Sequence, residues 1–161
     1  MDLVARVSAN APAFVELAKY VNDFDWTLLE EQYRDAHYGR STPDITKYKC
    51  FMFLKLMLGD YNAAVLSPFN EIDSIWHTHL LMPVNYAKFC SGAPVKEPRI
   101  VDHNPSGWRD ERAQKRRSDR ARAIMKQIFD EDDGEEEEFP VLNSPSPSPK
   151  PKRRRSRSRD C

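Results

Sequence analysis

Apolar side chains recur at three- and four-residue steps along most of the first half of the chain, the period of helices with one buried face. Phe14, Leu17, Ala18 and Val21 share such a face, with Asn10 as the predicted cap and Pro12 in the first turn. Asp23-Phe24-Asp25 breaks the pattern and supplies a second cap. Trp26, Leu29 and Tyr33 then carry the same step to about Tyr38-Gly39, where glycine can end a helix. Thr42-Pro43-Asp44 combines a capping hydroxyl, a proline at the first helical position and an acid facing the helix dipole, which predicts a third start. The segment Ile45 to Leu58 is apolar nearly all round, the mark of the most buried helix of a bundle. Gly59-Asp60-Tyr61-Asn62 reads as a turn, and Ser67-Pro68 repeats the cap-plus-proline signal before the next helix. Pro83 interrupts that helix. Lacking an N–H, it should leave the His79 carbonyl unbonded and push Met82 out of the helical region, so a kink or restart is expected, with a short helix to about Cys90.

Beyond this, Pro94, Pro98 and Pro105 mark a loop containing Asp102-His103-Asn104. Ser106 to about Phe129 predicts a basic helix whose apolar positions are Trp108, Ile124, Met125, Ile128 and Phe129. No strand pattern and no internal repeat emerges. The expected fold is all-α: a small bundle of about four to five helices over residues 1–105, a basic helix over 106–130, and over 131–161 a disordered tail, acidic and then Ser/Pro/Arg-rich.

Charge changes this picture. The formal net charge is zero, yet residues 1–105 carry −3, 106–129 carry +5, 130–139 carry −8 and 140–161 carry +6. Segregated blocks of this kind make solvated interaction segments. Three cysteines, Cys50, Cys90 and Cys161, and the lack of a secretory leader point to a reducing compartment, so an intracellular protein, nuclear or cytoplasmic, is expected. No apolar run approaches a membrane span, and no membrane partner is expected.

The candidate chemistry is concentrated in residues 71–90, where Asp73, Trp76, His77, His79, Tyr86 and Cys90 fall within one apolar stretch. At 100° per residue, Asp73 and His77 lie about 40° apart and can touch across a turn, whereas His77 and His79 lie about 200° apart. One regular helix cannot aim both imidazoles at the same ion. His79 shares the face of Ile72, Ile75 and Trp76, toward the core, where its ring would bond a carbonyl; His77 lies beside Asp73. His103 and Cys90 could supply further ligands to a divalent ion such as zinc, with Asp73 orienting His77. The candidate metal ligands are therefore His77, His79 and His103, with Asp73, Trp76, Tyr86 and Cys90 as a supporting cluster. Equally, Cys90 reads as a small buried hydrophobe.

The run Tyr48…Phe53-Leu54…Leu66-Ser67-Pro68…Ile72-Asp73…Trp76-His77-Thr78-His79-Leu80-Leu81…Tyr86…Cys90 resembles the glycine-rich domain-containing protein-like family, through its Asp-x-x-Trp-His-x-His unit followed by Tyr and Cys. The resemblance extends over about residues 44–105, and His103-Asn104-Pro105 is similar to the downstream His-x-Pro of bacterial members. Ser106-Gly107-Trp108 departs from the aromatic-glycine ending that follows there, and the glycine-rich region of plant members is missing, with five glycines in all. The resemblance implies a helical fold and a grouping of Asp73, Trp76, His77, His79, Tyr86, Cys90 and His103. It implies no particular reaction.

In the tail, Lys152, Arg153, Arg154, Arg155, Arg157 and Arg159 form a run suited to nucleic-acid phosphates or an import receptor. Two functions follow. One is a non-catalytic binding module for a protein partner, with the tail giving nuclear entry or nonspecific nucleic-acid contact. The other is a metal-binding, hydrolytic domain built on the Trp-His-x-His cluster. Whether the chain is an enzyme stays open at this point.

Overall fold

The computed structural model describes residues 2–36, 45–104 and 106–129, with the backbone alone at Asn70, Glu71 and Trp108. Among the described residues there are seven α-helices and no strand, so the fold is all-α. The predicted stop at Tyr38-Gly39, the start at Thr42-Pro43-Asp44 and the whole charged tail, including Lys152 to Arg159, lie outside the described residues.

The first helix, α1 (Leu3–Asn10), was not anticipated by the apolar spacing. Asp2 caps it, its carboxylate accepting the N–H groups of Val4 and Ala5, and Leu3 and Val7 bury its one apolar stripe against α2 and α7. Asn10 ends this helix instead of opening the next, and its amide donates to the Ile128 carbonyl at 2.8 Å. A 3₁₀ turn at Pro12–Phe14 leads into α2 (Val15–Asp23), which buries Leu17, Ala18 and Val21 as the spacing required. In α3 (Thr27–Ala36), Asp25 accepts from the Thr27 N–H at the start.

The central helix is α4 (Thr46–Met57). Every residue from Cys50 to Leu56 is buried, Lys55 among them. Fully burying an apolar side chain of this size contributes about 1.5–3 kcal/mol, so the run Phe51-Met52-Phe53-Leu54 anchors the bundle. Lys55 is held by Asp60, with Nζ 2.8 Å from Oδ2 and both side chains fully buried. The same carboxylate accepts the backbone N–H groups of Ala64, Val65 and Leu66. Burial alone would raise the Asp60 pKa, but the Lys55 cation and these donors outweigh it and hold the acid below its ordinary value. The 60–66 turn is thus wrapped around one anion, tightly enough to keep Ala63 at φ 55°, a left-handed conformation that glycine prefers.

Ser67-Pro68 does not cap the next helix. Helix α5 (Asn70–Leu80) starts after Phe69 with no side-chain cap, and Ser67 serves α7 instead. Pro83 restarts the chain as expected, opening α6 (Pro83–Gly92). The His79 carbonyl is not left unbonded, because the Met82 N–H reaches it at 3.0 Å in a tightened last turn. After the 93–104 loop and a 3₁₀ turn at Gly107–Arg109, α7 (Glu111–Phe129) lies across α1 and α4. It buries Ala121, Met125, Ile128 and Phe129, and the Arg122 guanidinium sits 4.4 Å over the Phe69 ring.

Candidate metal centre

The i, i+4 spacing of α5 puts Asp73 and His77 on its outer face. His77 Nδ1 lies 2.8 Å from the Asp73 carbonyl oxygen and 3.4 Å from its Oδ2. A carbonyl oxygen only accepts, so Nδ1 carries the proton, and a neutral ring then keeps its lone pair on Nε2. Bonding of one imidazole N–H to a carbonyl is how metal-ligating histidines are usually fixed.

His103 arrives from the 93–104 loop. Its Nε2 lies 3.6 Å from Asp73 Oδ1, and its ring meets that of His77 at 4.4 Å between centroids, 65° apart in plane. One donor atom from each of Asp73, His77 and His103 lies within 4.8 Å of the others. Donors about 2.0–2.1 Å from a tetrahedral ion sit about 3.3 Å apart, so modest rotation of these side chains would close the set. These three side chains form a group able to hold a metal ion.

The loop that delivers His103 is fixed from beneath. The buried Trp76 indole N–H donates to the Tyr86 hydroxyl at 2.9 Å, and that hydroxyl donates to the Val101 carbonyl at 2.6 Å. The Asp102 N–H adds a bond to the Tyr61 carbonyl at 2.7 Å. Trp76 then presents its ring to His103 at 4.9 Å, edge to face. Burial pushes the Tyr86 phenol far up, so it stays protonated and can donate. The Cys90 thiol packs against this relay; burial raises its pKa, and it is a protonated core side chain rather than a thiolate donor.

His79 stands apart. It is fully buried, and both ring nitrogens are taken: Asn85 Oδ1 accepts from Nε2 at 2.8 Å, and the Tyr48 hydroxyl donates to Nδ1 at 2.7 Å. Burial pushes its pKa down to about 4, opposed only by the Asn85 bond, so the ring is neutral and has no lone pair to offer an ion. Of the histidines read from the sequence, the structure brings His77 and His103 together around Asp73 and places His79 in the core, with Trp26, Tyr48, Tyr86 and Phe89 about it.

The triad opens onto a cleft of about 260 Å³. Its lining also includes residues that sequence reasoning did not assign to the site: Ser67, Asn104, Gln114 and Arg117. Arg117 donates from Nε to Ser67 Oγ at 2.9 Å and from Nη2 to the Gly107 carbonyl at 3.2 Å. Only glycine fits at 107 without displacement, since a Cβ there would stand 3.2 Å from Arg117 Nη2. The lone signal in the sequence was an arginine one helical turn from Ala121 on a half-buried stripe of α7, not separable from its many solvated neighbours.

The glycine-rich domain-containing protein-like family model matches residues 8–88, half of the 161-residue chain. The chain belongs to the glycine-rich domain-containing protein-like family. No curated protein and no solved structure matches it. The family segment supplies α2 to α6 with Asp73 and His77, whereas His103 and Arg117 come from the chain beyond it. No described helix is long and apolar enough to cross a membrane.

Proposed function

We propose that this member of the family is a metal-binding module in which Asp73, His77 and His103 hold one divalent transition-metal ion, zinc serving as the test ion. The observation that carries the reading is the meeting of two imidazoles and a carboxylate from separate segments at the mouth of a cleft. The fixed tautomer of His77 and the buried relay under the His103 loop support it, because both set a donor in place before any ion arrives. Three protein ligands leave a tetrahedral ion one open position, which in such sites takes water or a ligand. The basic run from Lys152 to Arg159 is proposed to add nucleic-acid or import-receptor contact, on the ground of its charge density alone.

Elemental analysis of the purified full-length chain, followed by zinc titration calorimetry, tests the site. About one ion per chain is expected, with binding lost in a His77→Ala, His103→Ala double variant and kept in His79→Leu. A chain that takes up no stoichiometric metal, or a double variant that binds as the parent does, would refute it.

A further inference from the structure

The cleft beside the triad is lined by two chemically distinct sets of side chains. Asp73, His77 and His103 line it, and so do Asn104, Gln114 and Arg117. The Arg117 guanidinium uses Nε and one N–H of Nη2 on Ser67 and Gly107, which are neutral acceptors, so three of its five N–H groups remain. Among the described residues no carboxylate pairs with it. The one buried acid among the described residues, Asp60, is already engaged by Lys55 and three backbone N–H groups. A half-buried cation whose orientation is locked by two hydrogen bonds, and which no described carboxylate pairs, is suited to receive an anion. Hydrogen bonds within the 104–107 turn tie Asn104 to Gly107, whose carbonyl holds Arg117. The Asn104 side chain accepts the Ser106 N–H at 3.0 Å, and the Gly107 N–H reaches the Asn104 carbonyl at 3.0 Å.

The geometry points to a compact dianionic ligand that bridges the cleft, one oxygen entering the open position on the triad's metal and another accepting from the Arg117 fork. This rests on the metal reading above and names what the open position is for. A volume of about 260 Å³ accommodates a small anionic head group. A phosphate monoester and a small dicarboxylate share the required chemistry, two anionic oxygens a few ångströms apart. Asn104 and Gln114 add neutral amide groups that can donate to whichever oxygens remain.

Calorimetry on the full-length chain in a non-coordinating buffer separates the two layers of the argument. Zinc is titrated first, and then methyl phosphate and malonate separately into the zinc-loaded protein. At least one anion should bind, at least tenfold more weakly when zinc is omitted, and whichever binds tighter identifies the head group. Arg117→Gln should weaken that anion at least tenfold while zinc affinity holds or tightens slightly, since a nearby cation has been removed. Arg117→Lys keeps the charge but loses the fork, and should fall between. It also covers the case in which the glutamine variant loses its helical circular dichroism. A protein that binds zinc but ignores both anions, or whose anion affinity is indifferent to residue 117, overturns this inference and leaves the metal site standing. A protein that binds no zinc removes both.

Discussion

Replacing Tyr86 by phenylalanine deletes a single oxygen, and the structure allows the consequence to be worked out in two parts. The hydroxyl accepts from the Trp76 indole N–H and donates to the Val101 carbonyl, and Trp76 and Val101 are both buried. Its loss leaves one donor and one acceptor unpaired, each worth about 1–3 kcal/mol. A total of about 2–6 kcal/mol is expected, the lower end applying if a water enters the space vacated. Urea unfolding followed by circular dichroism should show this as a lower midpoint with an unchanged slope. The second part concerns function. Val101 stands two residues before His103, so freeing its carbonyl loosens the segment that delivers that ligand. Zinc affinity should drop about 10- to 100-fold, as when a metal ligand loses its support, measured where the variant is still folded. Two outcomes would refute the reasoning: a stability loss below about 0.5 kcal/mol, or a destabilised variant that binds zinc as tightly as the parent.

Four further outcomes are expected. His79→Leu should cost about 1–3 kcal/mol by stranding the Tyr48 hydroxyl and the Asn85 amide, visible as a lowered Tm, while zinc binding is retained. The folded-state pKa of His79, about 4, lies below its ordinary 6.5, so the unfolded chain takes up the proton first. The stability contributed by the neutral ring is therefore complete above about pH 6.5 and lost on acidification to about pH 4, by about 3 kcal/mol, and His79→Leu should flatten that part of the profile. Lys55→Met should cost about 3–5 kcal/mol in urea unfolding, because Asp60 would remain buried without its cation. Removing residues 140–161 should leave Tm and zinc affinity unchanged but abolish salt-sensitive binding to a polyanion such as heparin.

The helical bundle was legible wherever an apolar stripe ran for more than two turns, as in Leu17-Ala18-Val21 and in the all-apolar face of α4. Helix α1 was not, because eight residues with two buried positions carry too little periodicity; packing on α2 and α7 makes it a helix. Ser67-Pro68 misled for a related reason. A hydroxyl before proline looks like a cap in one dimension, and only the third shows the Arg117 side chain arriving from fifty residues downstream. The opposite orientations of His77 and His79 followed from the 200° offset alone. The pairing of His77 with His103 did not, since nothing in the residues between them fixes the path of the 93–104 loop. That path is set by the Tyr86 and Tyr61 bonds, which are tertiary.

Trp76 is closed off from solvent yet lies one ring's width from a proposed ligand. An indole so placed is an optical gauge already installed in the molecule. Paramagnetic cobalt(II) seated at His103 should quench its emission, whereas diamagnetic zinc should shift the band with little loss of intensity. Loading could thus be followed by fluorescence without a label, and a Trp76→Phe variant would silence the signal.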